Sequence, residues 1–134
     1  MKKLSLGLAL AAMTTLGACA TDGVKLGQEE LSKALIGNTS EAMFTVGGGQ
    51  TITNWTYFGT DGTFVSQNNK GEQGHGTYTI KDGQLCTTWV KAYYNWSASN
   101  GCSAVSKDGK TYQINGRSVP QILPGNAKGL KYTG

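Results

Sequence analysis

The chain has 134 residues, with 12 Lys and Arg against 8 Asp and Glu, a formal charge of +4 at pH 7 and only 15% charged residues. That length fits one domain, and the basic residues Lys91, Lys107, Lys110, Arg117, Lys128 and Lys131 are scattered rather than clustered, so they read as a solvated surface and argue against nucleic acid as a partner. Gly is frequent at 20 residues, a composition that suits a turn-rich β protein better than a helical one.

The N-terminus begins with Lys2 and Lys3 and continues into LSLGLALAAMTTLGA, an uncharged run of 15 residues. This falls short of the roughly 20 apolar residues needed to span a bilayer and has the form of a secretory signal core. Its end, Leu16-Gly17-Ala18-Cys19, resembles the lipobox of bacterial lipoproteins. The resemblance implies a signal peptide over residues 1–18, diacylglycerol on the Cys19 thiol, cleavage just before it and acylation of the new amino terminus. The bilayer is then a partner through Cys19, and several acyl chains anchor firmly where one binds only marginally. An ordinary signal peptide with an incidental cysteine is the alternative. Ala20 rather than Asp follows the cysteine, which by the same resemblance implies an outer-membrane address with the globular part facing the periplasm. Cleavage there removes two of the 12 basic residues and none of the 8 acidic ones, so the side-chain balance falls from +4 to +2.

Residues 19–27 read as the lipidated terminus and a tether, and residues 28–134 as a single β domain. The domain opens on GQEELSKALIGN, where Leu31 and Leu35 stand four apart, Glu29 and Glu30 lie in the first turn and Gly37 fits the position after the C-cap. This pattern predicts one short helix that packs its Leu face on the sheet or across one barrel end. AMFTV at 42–46 is a candidate strand. From residue 50 onward Asp61-Gly62, Asp82-Gly83, Asp108-Gly109 and Asn115-Gly116 separate the runs TITNWTYFGT, TFVSQ, HGTYTIK, QLCTTWV, CSAVSK and KTYQI. Asp-Gly and Asn-Gly tolerate the positive φ of tight hairpin turns, and residues two apart on a strand share a face. The expectation is six or seven antiparallel strands. A small meander barrel, lipocalin-like in layout, comes first, with a half-barrel or two-sheet sandwich second. Trp55, Tyr57, Phe58, Phe64, Tyr78 and Trp89 are core candidates. The tail from Arg117 is expected to begin with an edge strand, since Pro120 and Pro124 argue against a central one, and its last eight or so residues are expected to be loose.

With Cys19 assigned to lipid, Cys86 and Cys102 remain. They sit on consecutive strands in an oxidising compartment, which favours a disulfide between them over two buried thiols. Two cysteines and one distant histidine fall short of the usual four ligands, so no metal site or other cofactor is expected. The loop between the cysteines holds Tyr93, Tyr94 and Trp96. These are either an exposed binding surface, since Tyr and Trp carry much contact area at low entropy cost, or rings that pack the core or cover one barrel end. His75 is the one histidine and the one candidate base, with no recognisable nucleophile or partner, so no catalytic residue is assigned.

The order LSKALIGNT, Tyr57 before Asp61-Gly62, GTYTI, DGQLC, Trp89 and Cys102 resembles a family of small secreted bacterial proteins classed as a domain of unknown function. The resemblance runs through Gly37, Thr39, Gly76, Leu85 and Cys86 to about residue 114. It implies a lipocalin-like β fold and the disulfide, and no activity. The resulting expectation is a non-enzymatic outer-membrane lipoprotein that binds a small apolar ligand, a glycan or an envelope protein. A structural envelope protein without a discrete ligand, or an enzyme using His75, are the alternatives.

Overall fold

A computed structural model describes residues 23–93 and 100–134. The expected signal peptide over residues 1–18, Cys19, Tyr94 and Trp96 lie outside the described residues. In chain order the elements are β1 (Val24–Lys25), α1 (Gln28–Leu35), β2 (Thr39–Val46), β3 (Gln50–Phe58), β4 (Thr63–Asn68), β5 (Gln73–Lys81), β6 (Gln84–Lys91), β7 (Gly101–Asp108), β8 (Thr111–Ile114), β9 (Arg117–Val119) and β10 (Gln121–Leu123). The seven anticipated runs all form strands. Each pairs antiparallel with the next through β9, and β10 pairs with β2. The result is the lipocalin-like meander, curled into a nearly closed barrel.

The turns follow their local chemistry. Asp82 and Gly83 both adopt positive φ (53° and 72°), as do Asn115 and Gly116 (51° and 71°), so each pair forms the two-residue primed turn that matches strand twist. Asp108 instead ends β7 opposite Thr111, and Gly109 takes the first turn position. Asp61 caps its loop by accepting from the Thr63 backbone N–H at 3.0 Å and its hydroxyl at 2.7 Å. Gly47, Gly48 and Gly49 connect β2 to β3, where Val46 faces Gln50.

Closure depends on one proline. The segment 117–123 pairs first with β8 and then, after Pro120, with β2. Proline has no N–H to donate, so the ladder breaks there and the chain changes partner, joining the last strands to the first.

Helix α1 closes one end. Leu31 and Leu35 are fully buried and share a cluster with Leu26, Phe58, Phe64, Tyr78, Leu85 and Val105, and burying each leucine stabilises by about 1.5–3 kcal/mol. Eight residues are too few for an independent helix in water, so docking has to hold it. The Gln28 side chain donates to the Ile80 carbonyl at 2.9 Å and accepts from the Gly83 N–H at 2.8 Å, which ties the helix start to the β5–β6 hairpin. At the other end Gly37, at φ 77°, donates to the Phe58 carbonyl at 2.7 Å. The exposed Lys33–Glu29 pair at 3.1 Å adds little.

Both ends of the domain depart from the expectations. Residues 24–26, read as tether, are part of the sheet: Val24 and Lys25 pair with Lys107 and Ser106, and the Leu26 N–H donates to the Val105 carbonyl at 2.8 Å. The tail begins with strands, as expected, but its last residues, expected to be loose, lie across the outer face of β2 to β5. Thr39 donates its hydroxyl to the Gly125 carbonyl at 2.7 Å, Gln73 donates to the Lys131 carbonyl at 3.0 Å, and Leu130 is buried. The tail also explains why Trp55 and Tyr57, expected in the core, face outward. Their cross-strand neighbours are Glu41 and Gln67 for Trp55, and Thr39 and Val65 for Tyr57. Lys128 lies 4.9 Å from the Trp55 ring.

Cys86 faces Cys102 across β6 and β7 and the two are bonded, with Cα atoms 3.9 Å apart. Their strand faces point out of the barrel, since the neighbouring Leu85 is in the core.

Candidate functional site

Alternation along each strand sends one residue in two into the lumen. From β2 and β3 these are Ser40, Ala42, Phe44, Ile52, Asn54, Thr56 and Phe58, and from β4 Phe64, Ser66 and Asn68. The register continues through Tyr78, Leu85, Thr87 and Trp89 to Ser103 and Val105, and on β8 and β9 to Ile114, Arg117 and Val119. The inner face therefore carries both kinds of side chain. Around α1 it is mostly apolar, and toward the opposite end amides, hydroxyls and one guanidinium are interleaved with Phe44, Ile52 and Trp89.

A cavity of about 120 Å³ lies in this lumen, lined by Phe58, Phe64, Leu85 and Trp89 together with Ser40, Asn54, Thr56, Ser103 and Arg117. Two glycines make room for the aromatic wall. A Cβ at Gly76 would stand 2.8 Å from Phe64 Cζ and 2.1 Å from the Thr88 carbonyl oxygen, and one at Gly74 would stand 2.8 Å from Trp89 Cζ3. The rings then pack edge to face, Phe64 on Trp89 at 4.7 Å and Trp89 on Tyr93 at 6.1 Å.

The polar wall is internally bonded. Tyr93 donates its phenol to Asn54 Oδ1, Asn54 Nδ2 donates to Thr56 Oγ1 at 3.3 Å, and the Thr56 and Ser66 hydroxyls are 2.6 Å apart. Asn54 and Ser66 are buried. Buried polar groups left unmatched are costly, and among the described residues no buried side-chain polar atom lacks a partner. The wall is thus a fixed polar surface. Arg117 belongs to it as well, with its guanidinium carbon 5.4 Å from the centre of the inward Phe44 ring.

A larger crevice of about 320 Å³ runs on the outer face between the tail and the strands, lined by Tyr57, Thr60, Asp61, Val65, Leu130 and Tyr132 among others. Volume alone favours it. Chemistry favours the lumen, because the crevice lies beneath the tail and its carboxylate, Asp61, already caps its own loop. Convergent polar groups beside an apolar wall, both fixed by the barrel, are what a small-molecule site requires.

No family model, curated protein or solved structure matches this chain. Function has to be read from the site itself.

Among the described residues singled out from sequence, Cys86 and Cys102 are brought together, whereas Tyr93 and His75 are not. Tyr93 is 7% exposed and packs on the lumen wall, so its place is in the interior rather than on an exposed platform. His75 faces outward on β5, opposite Val65 and Lys91, with its ring 4.0 Å from that of Tyr132; no carboxylate is paired with it across either strand. Glu41, on the same outer face, is bonded to Trp55 Nε1 at 2.7 Å and Gln121 at 2.9 Å. Those bonds, the Trp55 one foremost, hold its carboxyl below the usual value despite partial burial, with help from Lys128.

The lumen residues that sequence reasoning missed are Asn54, Thr56, Ser66, Ser103 and Arg117. The first two had a signal: Asn54, Thr56 and Phe58 alternate with Trp55 and Tyr57 in ITNWTYF, and one of the two faces had to be interior. Arg117, counted with the surface charges, had none. Its strand is three residues long, and a charged residue in so short a run reads as exposed.

Proposed function

We propose that this protein is a lipid-anchored envelope lipoprotein whose barrel binds a small molecule in its lumen. The observation that carries this reading is the cavity itself, lined by fixed aromatic rings together with fixed hydrogen-bonding groups. An envelope protein without a ligand has no need for a cavity with such a lining. The anchor rests on the lipobox resemblance at Cys19 and is part of the proposal.

If Cys19 carries the anchor, the register bears on how the barrel would be oriented. Val24 pairs with Lys107, next to the β7–β8 turn, so the chain enters from the α1 end. Cys19 is five residues before Val24, a reach of at most about 18 Å at full extension. The helix-plugged end would then face the bilayer, and the polar end would face the aqueous space.

The test is recovery of the full chain from membranes, followed by native mass spectrometry and extraction of bound small molecules. A small molecule should accompany the protein and be lost from Ser103→Leu, which fills the lumen, while palmitate labelling should require Cys19. Equal recovery from the Ser103→Leu variant would contradict lumen binding, and labelling of Cys19→Ser would contradict the anchor.

A further inference from the structure

Resting on the lumen reading above, we infer that the part of the ligand that enters the lumen is a single aromatic ring, seated against Phe58, Phe64 and Trp89. The geometry of the wall, the space beside it and the state of the polar groups each narrow the class.

Five rings follow one another through the interior. Tyr78 meets Phe58 edge to face at 5.1 Å and 78°, and Phe58 lies tilted against Phe64 at 6.3 Å and 47°. Phe64 then meets Trp89 edge to face at 4.7 Å and 81°, and Trp89 meets Tyr93 at 6.1 Å and 83°. Rings prefer such crossed arrangements because the positive edge of one faces the negative face of the next, an attraction beyond what burial alone supplies. The middle three, Phe58, Phe64 and Trp89, line the cavity. An aromatic ring placed there continues the run, whereas an aliphatic group of the same size gains burial alone.

The space is made by β5, where Gly74 and Gly76 are buried and put no side chain toward the lumen. A Cβ at Gly74 would stand 2.8 Å from Trp89 Cζ3 and 3.2 Å from Tyr93 Cδ1, and one at Gly76 would stand 2.8 and 2.9 Å from Phe64 ring carbons. The rings therefore lie directly on the β5 backbone and leave the cavity in front of them. Its volume is about 120 Å³. An engineered apolar cavity of about 150 Å³ takes up benzene, so this one is on the scale of one six-membered ring and too small for two fused ones. The polar lining does not compete for the role. Asn54, Thr56 and Ser66 are bonded to one another and to Tyr93, and Arg117 has interactions of its own, with the Phe44 ring among them. What the cavity offers a newcomer is its rings.

The experiment compares benzene with cyclohexane, which has the same number of carbons and no π-system. Each is titrated into the isotope-labelled chain from residue 19 onward with Cys19→Ser, which keeps every element of the barrel, and binding is followed by NMR. Each affinity is divided by the compound's water-to-hexane partition coefficient, so that burial alone predicts equal values. Benzene should then bind about fivefold better than cyclohexane, the advantage expected of edge-to-face pairs. Phe64→Leu, which keeps the wall apolar and removes its central ring, should reduce that advantage to about twofold or less. Equal corrected affinities with Phe64 in place, or an advantage undiminished in Phe64→Leu, overturn the aromatic assignment and leave the lumen reading standing. If neither compound shifts the resonances of Leu85 or Trp89, the lumen reading itself fails. The comparison with Phe64 in place decides the matter even if Phe64→Leu does not fold.

Discussion

Gly76 tests whether the lumen's dimensions are built in. Its φ is not in the left-handed region, so glycine is not required there for backbone reasons, and replacement by alanine would ordinarily stabilise by about 0.4–1 kcal/mol through the unfolded chain. Space argues the opposite. A Cβ would sit 2.1 Å from the Thr88 carbonyl oxygen and within 2.9 Å of two Phe64 ring atoms. The carbonyl belongs to the neighbouring strand and cannot rotate away, so either β5 and β6 separate or Phe64 is driven into the cavity. Overpacking of this kind costs about 1–3 kcal/mol, and contact with immovable backbone places Gly76→Ala at the upper end. For a domain of this size each kcal/mol lowers Tm by about 4 °C, so thermal unfolding followed by circular dichroism should show a drop of about 8–12 °C. Gly47→Ala is the control, because a Cβ there meets nothing within 4 Å. If the two variants unfold at the same temperature, the close approach of β6 to Gly76 is not real and the aromatic wall is not fixed as described.

The disulfide joins residues 16 apart and should contribute about 3 kcal/mol, so urea unfolding of Cys86→Ser/Cys102→Ser should shift by that amount, and coincident curves would refute the contribution. Tyr78 donates to the Gly59 carbonyl at 2.6 Å, and burial first, then Asp61 and Tyr57, raises its phenol above the usual value. A folded-state value above the unfolded one means stability that is present below about pH 10 and lost as pH rises through the folded value. Tyr78→Phe should therefore be less stable than the parent at neutral pH by about 0.5–1.5 kcal/mol, with the gap closing above pH 10; parallel stability curves across that range would contradict it.

What could be read from the chain divides by the range of its causes. The hairpins at Asp82-Gly83 and Asn115-Gly116 were legible because positive φ is a property of those residues themselves, and the helix at Leu31 and Leu35 because a buried face repeats locally. The outward placement of Trp55 and Tyr57 was not, since what covers them is the tail, with Lys128 and Leu130 more than 70 residues away in sequence. The same tail read as loose because its prolines and glycines give no periodic pattern, and its order comes from bonds to Thr39 and Gln73. In the candidate site the aromatic wall was legible and the polar wall was not. Hydrophobic rings announce a core, but serine, asparagine and arginine read as surface until the register turns them inward.

The claim that the lumen is the binding site is tested most directly by locating a bound ligand. Isotope-filtered nuclear Overhauser contacts from benzene should run from its ring protons to Leu85, Trp89 and Val119. Contacts instead to Tyr57, Val65 and Leu130 would place the ligand in the crevice beneath the tail and contradict the account.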